Sequence, residues 1–215
     1  MYLTITPDSI ELSPGGEVIL RHQTWLDYEN LLTSRQDNAA IKLSFNGSTG
    51  EIRLVAPLPE HGKKSDTLSD LVKALLRFQG RDWESFDPIT LQRFLRRGIE
   101  PDTCFYIQNR LTILGKERID LEVDPPPDLA IEIDLTSSTD PQDYEAIEIP
   151  ELWIYRDRVL YIYGFDGQQY QASETSLTFP EFSIKSLLPP FFEQAWQTGS
   201  SVALRAFEAN LRDRQ

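Results

Sequence analysis

Sulfur and imidazole are scarce in this chain. Its 215 residues include one cysteine, Cys104, one methionine and two histidines, His22 and His61. A single cysteine excludes an internal disulfide framework and a cysteine-based zinc site. Two histidines leave little for a His-rich metal centre. Long apolar runs are missing as well: none approaches the roughly 20 residues that span a bilayer, so no membrane association is expected. The opening Met1-Tyr-Leu-Thr-Ile-Thr-Pro7 carries neither a basic stretch nor an apolar core, and no signal peptide is expected. These absences point to a reducing, cytoplasmic setting. Positive charge is also short. The 21 Lys and Arg stand against 34 Asp and Glu, for a net charge of −13. Such a balance argues against non-specific coating of nucleic acid, because phosphates need a positive field. It leaves room for an enzyme that meets phosphate through bound metal ions.

What is present is enough apolar and aromatic material for a real core: 40% hydrophobic residues, with 11 Phe, 8 Tyr and 4 Trp. Trp25, Tyr28, Leu31 and Leu32 recur at helical spacing over residues 24–36, with Thr24 as N-cap. Residues 40–45 and 51–55 alternate around Asn46-Gly47, a hairpin signal. Ser65–Gln79 reads as an amphipathic helix with Gly80 just past its end. Residues 88–97 fit a short helix or a strand equally well. Strand signals follow at 103–108 and 129–135, and at 151–163 as a pair joined by Arg156-Asp157. A short helical candidate lies at 140–147. Helical spacing returns from Leu187 onward, where Trp196 and Phe207 are candidates for an interface between subunits. Hairpins mixed with helices predict an α/β fold, a mixed central sheet flanked by helices with extra N-terminal hairpin strands. The expected organisation is an N-terminal arm (1–23), a main domain (24–180) and a C-terminal helical extension (181–215).

Acidic residues concentrate between Lys116 and Glu151: twelve of them face only Lys116 and Arg118, which accounts for −10 of the −13. A solvated acidic face is the plain reading. A sharper one rests on Asp128-Leu-Ala-Ile-Glu-Ile-Asp134. Side chains at i, i+2 and i+4 of a strand share a face. Asp128, Glu132 and Asp134 therefore point one way while Leu129, Ile131, Ile133 and Leu135 form an apolar face. Carboxylates so spaced repel each other, and a divalent cation with oxygen ligands holds them together. Asp102, fixed by Pro101 at the entry of the strand that begins at Thr103, offers a further carboxylate from a neighbouring strand. Such a floor suits one or two magnesium ions in phosphodiester cleavage. Arg93, Arg96 and Arg97 make a compact basic cluster, suited either to phosphates or to ion pairs with the acidic window. Cys104 reads as a buried structural thiol. Trp153, Tyr155, Tyr161 and Tyr163 read as cross-strand packing.

Gly98–Asn109, Asp124–Ser138, Ile149–Trp153 and Pro57-Leu-Pro-Glu-His61 together resemble the Uma-type restriction endonuclease family of bacteria, over roughly residues 25–170. The resemblance implies a restriction-endonuclease-like core of the PD-(D/E)XK type and a metal-dependent endonuclease acting on DNA. It maps the catalytic positions onto Asp102, Glu132 and Asp134 and includes His61. Together with the strand face and the basic cluster, this leads to the expectation that Asp102, Glu132 and Asp128 ligate Mg2+ or Mn2+, with accessory roles at His61, Arg93 and Arg97. A homodimer is expected, since two sites are needed to cut two strands. The chain departs from the family pattern at two positions. Asp134 stands where the motif has its lysine, and residues 139–149 hold no lysine to replace it. Gly62 stands where relatives often carry an acidic residue after the histidine. A basic group from elsewhere in the chain, such as Arg93, Arg96, Arg97 or Lys73, is a candidate substitute. The alternatives are a catalytically impaired member serving as a binding or assembly module, and a hydrolase of a smaller phosphorylated substrate.

Overall fold

The structure is a computed structural model that describes residues 12–35, 41–135 and 138–214. Two sheets organise it. β1 (Glu17–Leu20) leads into α1 (Trp25–Arg35), which begins as expected at Thr24. The Thr24 Oγ1 accepts from the Asp27 N–H while the Asp27 carboxylate accepts from the Thr24 N–H, a reciprocal cap. β2 (Lys42–Asn46) and β3 (Glu51–Val55) form the expected hairpin, with Lys42 opposite Val55 and Phe45 opposite Ile52. Their strict alternation buries Leu43, Phe45, Ile52 and Leu54 against Trp25, Tyr28 and Leu31 of α1. Lys42, Ser44, Arg53 and Val55 are left on the opposite face, where they line a cavity.

α2 (Pro59–Phe78) starts six residues before the expected Ser65. Pro59 sits in the first turn, where a missing N–H costs nothing. His61 is therefore part of the helix rather than of a loop at its mouth. After β4 (Glu84–Phe86), the ambiguous stretch resolves into two short strands, β5 (Leu91–Arg93) and β6 (Arg97–Ile99). β6 joins β2, completing an antiparallel sheet in the order β1-β3-β2-β6-β5. Gly98 is required there: a Cβ at this position would lie 2.3 Å from the Tyr28 hydroxyl and 2.5 Å from its ring.

The second sheet has the order β11-β10-β9-β8-β7-β4. Besides β4 it contains β7 (Thr103–Tyr106), β8 (Leu129–Asp134), β9 (Glu151–Arg156), β10 (Val159–Phe165) and β11 (Tyr170–Ser173), with the one-turn helix α3 (Arg110–Ile113) in the connection between β7 and β8. β8 and β9 run parallel and the remaining pairs antiparallel, so the sheet is mixed as expected. The β9–β10 turn is Asp157-Arg158, one residue later than the sequence suggests, and both residues have positive φ. That is the type I′ geometry that matches strand twist. The candidate helix at 140–147 is only a 3-10 turn, Pro141–Tyr144.

α4 (Ile184–Thr198) and α5 (Ser200–Arg212) close the chain. With α2 they cover the face of the large sheet that carries Phe105, Leu129, Ile131, Ile133, Trp153 and Tyr155. Phe207 is fully buried in that core, so it offers no interface. Trp196 is half-exposed and lies beneath the ammonium of Lys63, 4.8 Å from its ring centre. Among the described residues, no helix is long and apolar enough to cross a membrane.

Candidate active site

All six residues of β8 are buried. Leu129, Ile131 and Ile133 face the helices, and Ala130 faces a second apolar cluster with Cys104, Leu152 and Ile154. The acidic face is therefore not a solvated one. Its three carboxylates meet three different fates.

Glu132 is brought together with Asp102. β7 and β8 pair with Thr103 opposite Ile131, so one further step of the register sets Asp102 opposite Glu132. Asp102 Oδ2 accepts from the Ile133 N–H at 2.7 Å and contacts His61 Nε2 at 2.9 Å. Glu132 Oε1 accepts from the Tyr144 hydroxyl. The other oxygen of each carboxylate turns to a residue that sequence reasoning did not single out. Lys42 Nζ lies 2.5 Å from Asp102 Oδ1 and 3.3 Å from Glu132 Oε2. A buried cluster with two carboxylates and one ammonium has a definite charge pattern. Burial opposes the charge on Asp102, but Lys42 and then His61 overcome it and hold the carboxyl well below its usual range. Burial, followed by the Asp102 charge, pushes Glu132 up to about 8. Lys42 is held above its usual range, because the Asp102 and Glu132 charges outweigh its burial.

Lys42 is positioned by a second ion pair. Arg35 of α1 grips Glu100 through two contacts of 2.6 and 2.7 Å. Glu100 also accepts from the Leu43 N–H at 2.9 Å and from Thr90 Oγ1 at 2.7 Å. One buried carboxylate thus fixes α1, the residue after Lys42 and the segment that leads to Asp102.

Asp134 is an anchor. It accepts from Arg156 Nε and Nη2 at 2.9 and 2.5 Å and from the Thr139 N–H and hydroxyl at 2.9 and 2.7 Å. Asp128 is not brought to the pair. Its Oδ2 accepts from the backbone N–H groups of Ile107 and Gln108 at 2.6 and 2.9 Å, capping the turn after β7. It precedes Glu132 by four strand positions, about 13 Å. Arg93 donates to the Leu121 carbonyl and lies 3.8 Å from Glu148. Arg97 pairs with Asp143 and lines a cavity that Glu132 and Lys42 also line. The two arginines thus serve the acidic window, and Arg97 also borders the site.

That cavity, about 100 Å3, lies between the two sheets. Lys42, Ser44, Arg53 and Arg97 contribute from the small sheet; Glu132, Asp134 and Tyr144 contribute from the large one, and His61 from α2. Among the described residues, no group of three or more His, Cys, Asp and Glu side chains is arranged to hold a metal. A two-carboxylate site nonetheless fits a hard divalent cation in its donor chemistry. Asp102 Oδ1 and Glu132 Oε2 converge on one point, and a cation, the Lys42 ammonium, already stands there.

Comparison with known proteins gives the following. The Uma2 family, described as "Putative restriction endonuclease", matches residues 25–199. A solved structure titled as a putative nuclease belonging to DUF820 from Anabaena variabilis ATCC 29413 is similar at 16% identity. The match covers 72% of this chain and 90% of that one, with a TM-score of 0.48. No curated protein matches.

Proposed function

The chain belongs to the Uma2 family, and on that premise we propose that it is a metal-dependent nuclease that hydrolyses DNA phosphodiester bonds, with Lys42 in place of the missing motif lysine. The observation that carries this reading is the convergence of Asp102 and Glu132 on Lys42, beside a cavity that Glu132 and Lys42 line. In the reaction, a water oxygen bonds to phosphorus while the bond from phosphorus to the leaving oxygen breaks. Asp102 and Glu132 would hold Mg2+ or Mn2+, which supplies Lewis acidity and a more acidic bound water. Tyr144 and the Ile133 N–H orient the two carboxylates through their outer oxygens. The Lys42 ammonium reaches into the cavity and donates to the oxygens that gain negative charge. His61 keeps Asp102 turned toward the site.

A non-catalytic assembly role rests on the absence of a lysine near Asp134, on the strong negative charge and on the short segment after Ser138. Lys42 offers a cation from another strand and so weakens the first of these supports. A homodimer, with one site per strand, belongs to the same proposal.

The test is cleavage of supercoiled, linear and single-stranded DNA in Mg2+ or Mn2+. Cleavage is expected to fall more than about a hundredfold in Glu132→Ala and in Lys42→Met. A Glu132→Ala protein that cuts as well as the wild type would overturn the assignment. Light scattering of the intact protein reads the dimer.

A further inference from the structure

The two carboxyl groups each turn one oxygen to Lys42. Asp102 Oδ2 is taken by Ile133 and His61, and Glu132 Oε1 by Tyr144. Asp102 Oδ1 and Glu132 Oε2 both face the Lys42 ammonium. These are the oxygens that an incoming divalent cation would need. An ammonium and a divalent ion cannot share that point, because like charges a few ångströms apart in a buried site repel strongly. Resting on the proposed nuclease reading, we infer that Lys42 is a built-in competitor for the metal and leaves the carboxylates only when a substrate phosphate offers it a new partner.

The structure supports this exchange on three counts. Lys42 keeps 19% of its side chain exposed, against 2% for Asp102, so it is the movable member of the cluster. Its stem is flexible and its three donors suit a phosphate as readily as a carboxylate. The cavity it would swing into is bordered by Ser44 and by Arg53 and Arg97, whose guanidinium groups pair with Glu17 and Asp143 and offer a phosphate their remaining donors. Metal and phosphodiester would then bind cooperatively, and by linkage each would tighten the other equally. The metal would be loaded where DNA is present and held poorly elsewhere.

Mn2+ binding, read by electron paramagnetic resonance of the free ion, tests this without reference to activity. The wild type is expected to bind Mn2+ weakly. Lys42→Met is expected to bind it about tenfold tighter or more. A nuclease-resistant phosphorothioate dinucleotide should tighten Mn2+ binding to the wild type and leave Lys42→Met nearly unchanged. Lys42→Gln, which keeps a polar head, serves where Lys42→Met does not fold by circular dichroism. Equal or weaker Mn2+ binding in the folded Lys42 variants would overturn the competitor role and leave the nuclease reading standing. No Mn2+ binding by any variant, with or without the dinucleotide, would overturn both.

Discussion

The two sheets divide the labour of one site unequally. The six-stranded sheet supplies Glu132 from β8 and Asp102 from the residue just before β7, which the register sets opposite it. The five-stranded sheet supplies Lys42, Arg53 and Arg97 from strands that look like ordinary amphipathic hairpins. The acidic wall is rigid, held by backbone and tyrosine donors. The basic wall is held by longer side chains, and one of them, Lys42, spans the gap. The lesson is that a charge required by chemistry need not come from the element that carries the motif. It needs only to face the same cavity.

Breaking the tie between the sheets should have the largest effect. Arg35→Met leaves the buried Glu100 without its cation, and a loss of about 3–5 kcal/mol is expected in chemical denaturation. The acidic wall can be probed next through pH. Glu132 keeps its proton up to about 8 in the folded chain, against an ordinary value of 4.5. In that window unfolding releases a proton, so the metal-free protein should lose stability as pH rises from about 4.5 to about 8 and level off above. Asp102 has the opposite sign: its contribution is present above its ordinary range and lost as pH falls below it. Urea midpoints measured over roughly pH 5 to 9 should fall up to about pH 8 and then level off in the wild type, and this fall should flatten in Glu132→Gln.

Smaller effects separate support from chemistry. Gly98→Ala drives a methyl into the Tyr28 ring, and a loss of about 1–3 kcal/mol is expected in thermal denaturation. Asp128→Ala removes a turn cap and should cost about 1–2 kcal/mol while leaving Mn2+ affinity unchanged. A fall in Mn2+ affinity in that variant would mean that Asp128 belongs to the acidic wall after all.

Much of this architecture is legible in the residues. The Asn46-Gly47 hairpin, the alternation of β8 and the Thr24 cap rest on local rules of turn, period and capping, which act within a few positions. Those rules also give Glu132 its face, whereas its pairing with Asp102 is what the family resemblance implies. Lys42 escapes them. It is one lysine between Ile41 and Leu43, and only the outward parity it shares with Ser44 sets it on the cavity side. The groups it meets are on another sheet. Tyr144 is missed for a related reason: Pro141 and the positive φ of Glu148 confine its segment to a 3-10 turn that presents the ring to Glu132. Asp128 shares the parity of Glu132, yet it precedes the first residue of β8 and turns to the neighbouring loop. Parity gives a face; it does not give a destination.

The span of the Lys42 contacts has a consequence for the life of the chain. Lys42 reaches residues 60 and 90 positions further along. Contacts of that separation are slow to form and require both sheets in place. A nascent chain on the ribosome, or one that has partly melted, therefore lacks the complete site. Under the proposed function, hydrolytic power would arrive only with the finished molecule, and the cell making it would be spared stray nicks from its own unfinished copies.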